Sequence, residues 1–137
     1  MNRKEQYQRK LDFITEKIHN FPEVDGKIES SMDTLFNHIQ ISIKASMELI
    51  EMLSEDLDIK KGDLYSNLDE MLRLNMFSPE LVKNIRQLNA MRFLLNNKFS
   101  NIQEELVEEQ KKIVRKILNE FVLKVNEIRN QHLSHMK

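Results

Sequence analysis

Ile85-Arg86-Gln87-Leu88-Asn89-Ala90-Met91-Arg92-Phe93-Leu94-Leu95-Asn96-Asn97-Lys98-Phe99 is the stretch on which the reading of this chain turns. With Leu81 upstream, its apolar residues recur at helical spacing, and one stripe runs Leu81, Ile85, Leu88, Arg92, Leu95. An arginine therefore stands where a leucine is expected, and polar residues close the helix. A buried guanidinium without a partner is too costly. Arg92 thus reaches a carboxylate, a subunit interface or an anionic ligand such as phosphate, unless it lies at the helix edge with its stem packed and its head in solvent.

The start of this helix is marked by Ser78-Pro79-Glu80: serine caps, proline fits the first turn, and glutamate suits the positive end of the dipole. Downstream, Ser100 with Gln103 matches a capping box and opens a last helix to about Leu133, with Leu106, Ile113, Val114, Ile117, Leu118, Phe121, Val125 and Ile128 inward. Upstream, a short helix from Leu64 to Leu74 carries Leu68, Met71 and Leu72, and the polar connection from Asp58 to Asp63 contains Gly62. A first helix from Lys4 to Asn20 repeats Tyr7, Leu11, Ile14 and Ile18, ends at Phe21-Pro22, and is followed by a turn at Asp25-Gly26. The helix from Ile28 to Leu57 has a broad apolar face of Met32, Leu35, Phe36, Ile39, Ile43, Met47, Ile50 and Leu53. At about 1.5 Å per residue it is on the order of 45 Å long, the central strut. The expected fold is all-α: an antiparallel four-helix bundle with one additional short helix.

Composition agrees. The 137 residues suit a single domain, and two Gly, two Pro and eight Met leave little material for hairpins. The net charge of -1 balances 21 basic against 22 acidic residues, so RNA contact would need a local patch. The absence of cysteine excludes a thiol nucleophile, a disulfide framework and a thiolate metal site. Neither a signal peptide nor a run of roughly 20 apolar residues is present, so the expectation is a cytoplasmic protein that does not enter a membrane.

From about Leu11 to Ile128 the helix layout, the Ser78-Pro79-Glu80-Leu81 start and Asn101-Ile102-Gln103-Glu104-Glu105 after the arginine resemble HepT-like toxins. These form a prokaryotic branch of the HEPN (higher eukaryotes and prokaryotes nucleotide-binding) superfamily, with the signature R-N-x-x-x-H-x-Y. Arg92 matches its arginine; Phe93, Asn97 and Phe99 stand where the asparagine, histidine and tyrosine belong. The resemblance implies a HEPN-like bundle and a homodimer whose arginine and histidine cleave RNA without metal or other cofactor. It also implies a minimal nucleotidyltransferase antitoxin as partner, which in some members modifies the tyrosine with AMP. Arginine would stabilise phosphoryl charge and histidine would move a proton. Asn97 has no proton equilibrium near neutral pH, so the catalytic pair Arg92 and Asn97 is degenerate, and Phe99 has no hydroxyl to modify. Positions 92 and 97 lie about 140° apart on a helix, so they converge only if the helix ends between them or a second subunit completes the site.

Three readings follow. In the first, Arg92, helped by Arg86, Asn96, Asn97 and Lys98, binds RNA, a nucleotide or the partner without cutting. In the second, the protein is an active metal-independent ribonuclease with a substituted proton carrier such as His38. In the third, it is a ligand-free helical dimerisation protein in which Arg92 pairs with a carboxylate. Other patterns weigh less. Arg129-Asn130-Gln131-His132-Leu133-Ser134-His135 has loose arginine-to-histidine spacing but sits at a helix end, where histidines suit the dipole. Glu16-x-x-His19 is half of a di-iron pattern whose other half is missing. Glu104, Glu105, Glu108 and Glu109 precede Lys111, Lys112, Arg115 and Lys116 at a spacing that side-chain pairing along one helix explains.

Overall fold

The computed structural model describes residues 1–23, 29–59, 62–96 and 104–136, and the side chains of 29–32, 94–96 and 104–107 fall outside that description. The described chain forms α1 (Arg3–His19), α2 (Glu29–Asp56), α3 (Leu64–Arg73), α4 (Pro79–Asn96) and α5 (Glu104–His132), with no strand among the described residues. The all-α expectation therefore holds, with α3 as the additional short helix. The proposed turn at Asp25-Gly26 and the capping box at Ser100 and Gln103 lie outside the described residues.

Local chemistry sets most helix ends. The Asn2 side chain accepts from the Glu5 amide at 2.9 Å to open α1, and Asp63 accepts from the Ser66 amide at 2.8 Å to open α3. Ser78 accepts from the Leu81 amide at 3.1 Å, as its position before Pro79 predicts. Asp58 and Asn75, at φ 55° and 59°, take the left-handed conformation just past α2 and α3.

α1 runs opposite to both α2 and α5. Arg3 at the start of α1 meets Glu55 and Asp56 at the end of α2, while Lys10 pairs with Glu48 further back along it. Arg129 near the end of α5 reaches Gln8, whereas Arg115 near its beginning donates to the carbonyl of Ile18 at 2.8 Å and stacks over Phe21. That last contact satisfies a carbonyl which the C-terminus of α1 leaves without a helical partner.

The core joins Tyr7, Leu11, Ile14 and Ile18 of α1 to Val114, Ile117, Leu118, Phe121, Val125 and Ile128 of α5, with α2 packed against both, α4 against α2 and α5, and α3 against α2 and α4. Phe77, in the α3–α4 connection, closes one end edge-on to Phe121, with ring centroids 6.0 Å apart. Ile113, expected inward, is instead 39% exposed. It is one residue, and so about 100°, from Val114, and α5 turns the Val114 side to the core. Lys111 on that inward stripe is 4% exposed and pairs with Glu108 at 3.2 Å.

A polar knot ties three helices where α1 begins and α2 and α5 end. The buried Tyr7 hydroxyl donates to Asp56 Oδ2 at 2.6 Å, and Arg3 Nε donates to the same oxygen at 2.9 Å. The guanidinium of Arg129 lies 5.4 Å from the Tyr7 ring centroid. Burial, reinforced by the Asp56 hydrogen bond, pushes the Tyr7 phenol well above its ordinary value of 10.0. Since the unfolded chain ionises first, this stabilisation is complete below about pH 10 and is lost as pH rises beyond it. Tyr7→Phe is expected to cost about 1–3 kcal/mol at neutral pH, the value of a hydrogen bond to a charged group. In urea melts the deficit against wild type should narrow above pH 10; a deficit that stays constant would assign it to packing.

Candidate functional site

Arg92 leaves the core stripe at its end. Leu81, Ile85 and Leu88 of α4 are buried, but Arg92, a turn further on, is half-buried and lines a cleft of about 610 Å³. One wall is a strip of α2 formed by Lys44, Met47, Glu48, Glu51 and Ser54; the other is the entry to α3, Gly62, Asp63, Leu64 and Asn67. Arg92 is thus neither a buried core residue nor a fully exposed one, as a long amphipathic side chain at the edge of a helix stripe allows. Phe93, beside it and 56% exposed, lies under the guanidinium, 5.4 Å from ring centroid to Cζ.

Several cleft groups are already engaged. Glu48 is ion-paired with Lys10 of α1. Asp63 caps α3, and the hydrogen bonds from Ser66 hold its carboxyl below the usual carboxylate range. The Ser54 hydroxyl donates to the carbonyl of Ile50 at 2.8 Å. Asn67 accepts from the Gly62 amide at 3.3 Å, closing the turn into α3. Among the described residues, Arg92, Lys44 and Glu51 have no oppositely charged partner within ion-pair reach. The lining combines two cations with three carboxylates. A bare anion would meet repulsion there. A ligand carrying both a phosphate and N–H or O–H donors would find complementary groups around the cleft.

The other sequence candidates separate. Arg86, six residues from Arg92 and so about 120° around α4, turns to α3, where it pairs with Asp69 and stacks 5.1 Å over the Tyr65 ring. Asn96 is the last residue of α4, its side chain outside the described set, and Asn97, Lys98 and Phe99 lie outside the described residues altogether. His38 is half-buried on α2 and is not among the cleft's lining residues; its Nδ1 is buried with no hydrogen-bond partner among the described residues. Glu16 and His19 are both exposed, and among the described residues no three His, Asp or Glu side chains are grouped to hold a metal ion. Arg129 is occupied by Asn126, Gln8 and the Tyr7 ring, and His132 and His135 are exposed. Lys44 escaped the sequence reading because it lies 48 positions before Arg92. Its one signal is that it falls, with Glu48 and Glu51, on the polar side of a helix with a broad apolar face.

With the geometry in place, the class is that of an all-α helical-bundle protein with a cleft of mixed charge. The chain is 29% identical over 127 residues, covering 92% of its own length and 95% of the other's, to a protein of Archaeoglobus fulgidus named "Putative RNase". It is thus similar over most of its length to an RNase-like protein. No protein-family model and no solved structure matches it. Among the described residues, no helix is long and apolar enough to cross a membrane.

The cleft depends on a close approach at Gly62, where an added Cβ would sit 2.8 Å from Ser66 Cβ, an atom fixed by the α3 backbone. Gly62→Ala should therefore cost about 1–3 kcal/mol through overpacking. A denaturation midpoint equal to wild type would show that the turn relaxes freely.

Proposed function

We propose that this chain is a HepT-like protein of the HEPN superfamily whose ribonuclease centre is degenerate, and that it holds RNA or a nucleotide at the Arg92 cleft without cutting it. The observation that carries the reading is Arg92 itself: it matches the signature arginine, and it lines a cleft with no carboxylate paired to it among the described residues. The name of the Archaeoglobus relative and the helix layout support the same family. In this reading the protein is a homodimer and the toxin-family half of a toxin-antitoxin-like system, with a minimal nucleotidyltransferase as partner.

The chemistry follows from the groups available. Arg92 and Lys44 bind phosphate oxygens, and Glu51 accepts from a ribose hydroxyl or a base N–H. Cleavage requires the ribose 2′-oxygen to lose its proton and bond to phosphorus while the 5′-oxygen leaves and gains a proton. Arginine stays charged throughout and Asn97 cannot exchange a proton, so bound RNA stays intact. Phe99 offers no hydroxyl for a nucleotide, and a protein that does not cut RNA needs no such silencing.

The relative's name favours a second reading, an active ribonuclease. Its proton carrier would be a cleft carboxylate, Glu51 being the one with neither an ion pair nor a capping role among the described residues, since His38 does not line the cleft. Labelled RNA incubated with chelator separates the two. Wild type should leave it intact, and Asn97→His, alone or with Phe93→Asn, should raise cleavage by up to about 10² to 10⁴, the usual range for acid-base catalysis. Chelator-resistant cleavage by wild type that vanishes in Arg92→Ala would establish the second reading.

Dimerisation is checked by light scattering at a concentration of about tens of micromolar, where an interface of standard size should give a dimer. A strictly monomeric protein would contradict a site completed by a second subunit.

A further inference from the structure

We propose that the Arg92 cleft is one end of a longer track for single-stranded RNA, which crosses α2 at Lys44 and continues on α1 at Arg9 and Phe13. The proposal rests on the nucleotide-binding reading of the cleft and extends it to a ligand of more than one nucleotide. A second cavity, of about 350 Å³, lies in the groove between α1 and α2, lined by Arg9, Lys10 and Phe13 on one side and by Lys44 and Glu48 on the other. Lys44 and Glu48 also line the Arg92 cleft, so the two cavities adjoin across α2.

The charge changes along this path. In the cleft, carboxylates outnumber cations, whereas the groove has three cations against one carboxylate. Because Lys10 and Glu48 are paired with each other, Arg9 and Lys44 remain without an acidic partner among the described residues. A basic groove leading out of a mixed cleft suits a strand whose first nucleotide is recognised in the cleft and whose next phosphates are held by charge alone.

Phe13 adds the second element. The core stripe of α1 is Tyr7, Leu11, Ile14 and Ile18, so Phe13 lies outside the core cluster and is 38% exposed at the groove. The Lys17 ammonium lies 5.5 Å from its ring centroid. An exposed ring among Arg9, Lys10 and Lys17 is a platform on which an unpaired base can stack while the cations take its flanking phosphates. Stacking needs an unpaired base, which makes the ligand single-stranded.

The test uses the full chain, a labelled short single-stranded oligoribonucleotide followed by fluorescence anisotropy, and AMP as competitor. Arg9→Ala and Phe13→Leu, both at exposed positions, should each weaken oligonucleotide binding by about tenfold, and Arg9→Ala should reduce the slope of log affinity against log salt by about 0.7. AMP affinity should not move in either. Arg92→Ala should weaken both ligands. Oligonucleotide binding at wild-type strength in Arg9→Ala and Phe13→Leu overturns the track and leaves the cleft reading standing. Unchanged AMP binding in Arg92→Ala overturns the cleft reading instead. Wild type that binds no RNA, or that shows Arg9-dependent binding only to anionic phospholipid vesicles, overturns the track as well.

Discussion

The constraint that organises this protein is the burial of α2 on most of its circumference. It packs against α1, α3, α4 and α5, and among the described residues no other helix touches all its fellows. Leu35, Ile39, Ile43, Leu49, Ile50 and Leu53 fill its inner arc, and three buried serines widen it. Ser42, Ser46 and Ser54 turn their hydroxyls back to carbonyls of the same helix, so small side chains lie against neighbours without an unsatisfied polar group. One strip stays open, and its residues Lys44, Met47, Glu48 and Glu51 form a wall of the cleft. The candidate site is the part of the strut that the bundle leaves uncovered.

The polar contacts divide by what they connect. Arg3, Tyr7, Asp56 and Arg129 lock three helix ends, and Arg115 completes the end of α1, so these arginines are occupied in holding the fold. Arg86 is likewise engaged by Asp69 and Tyr65. Arg92, Lys44 and Arg9 have no ion pair among the described residues, and they line two adjoining cavities. A cation with no structural partner is free to meet an anion from solution.

The fold was legible because helical periodicity and capping are local. Tyr7, Leu11, Ile14 and Ile18 are spaced for one face of a helix whatever surrounds them, and Ser78 before Pro79 can cap only the helix that follows. The failure at Ile113 has the same origin: apolar residues side by side both look inward to a periodicity argument, and only the neighbouring helices choose between them. The site was less legible. Arg86 and Arg92 are close in the chain and were grouped for that reason, yet the turn of α4 sends one to α3 and the other to the cleft.

By itself the sequence determined the helices, their order, most of their boundaries, the apolar stripes that make the core, and the singular position of Arg92. It determined too that a carboxamide stands at residue 97 and a phenylalanine at 99, which fixes what those side chains can do chemically. Tertiary structure alone decided which charges stand together. It bonded Arg86 to Asp69, placed His38 away from the cleft lining, and brought Lys44 across 48 residues to the cleft that Arg92 also lines. The reason is physical: helix formation and capping depend on residues within a turn or two, whereas the company a side chain keeps depends on helix packing, which separation along the chain does not reveal.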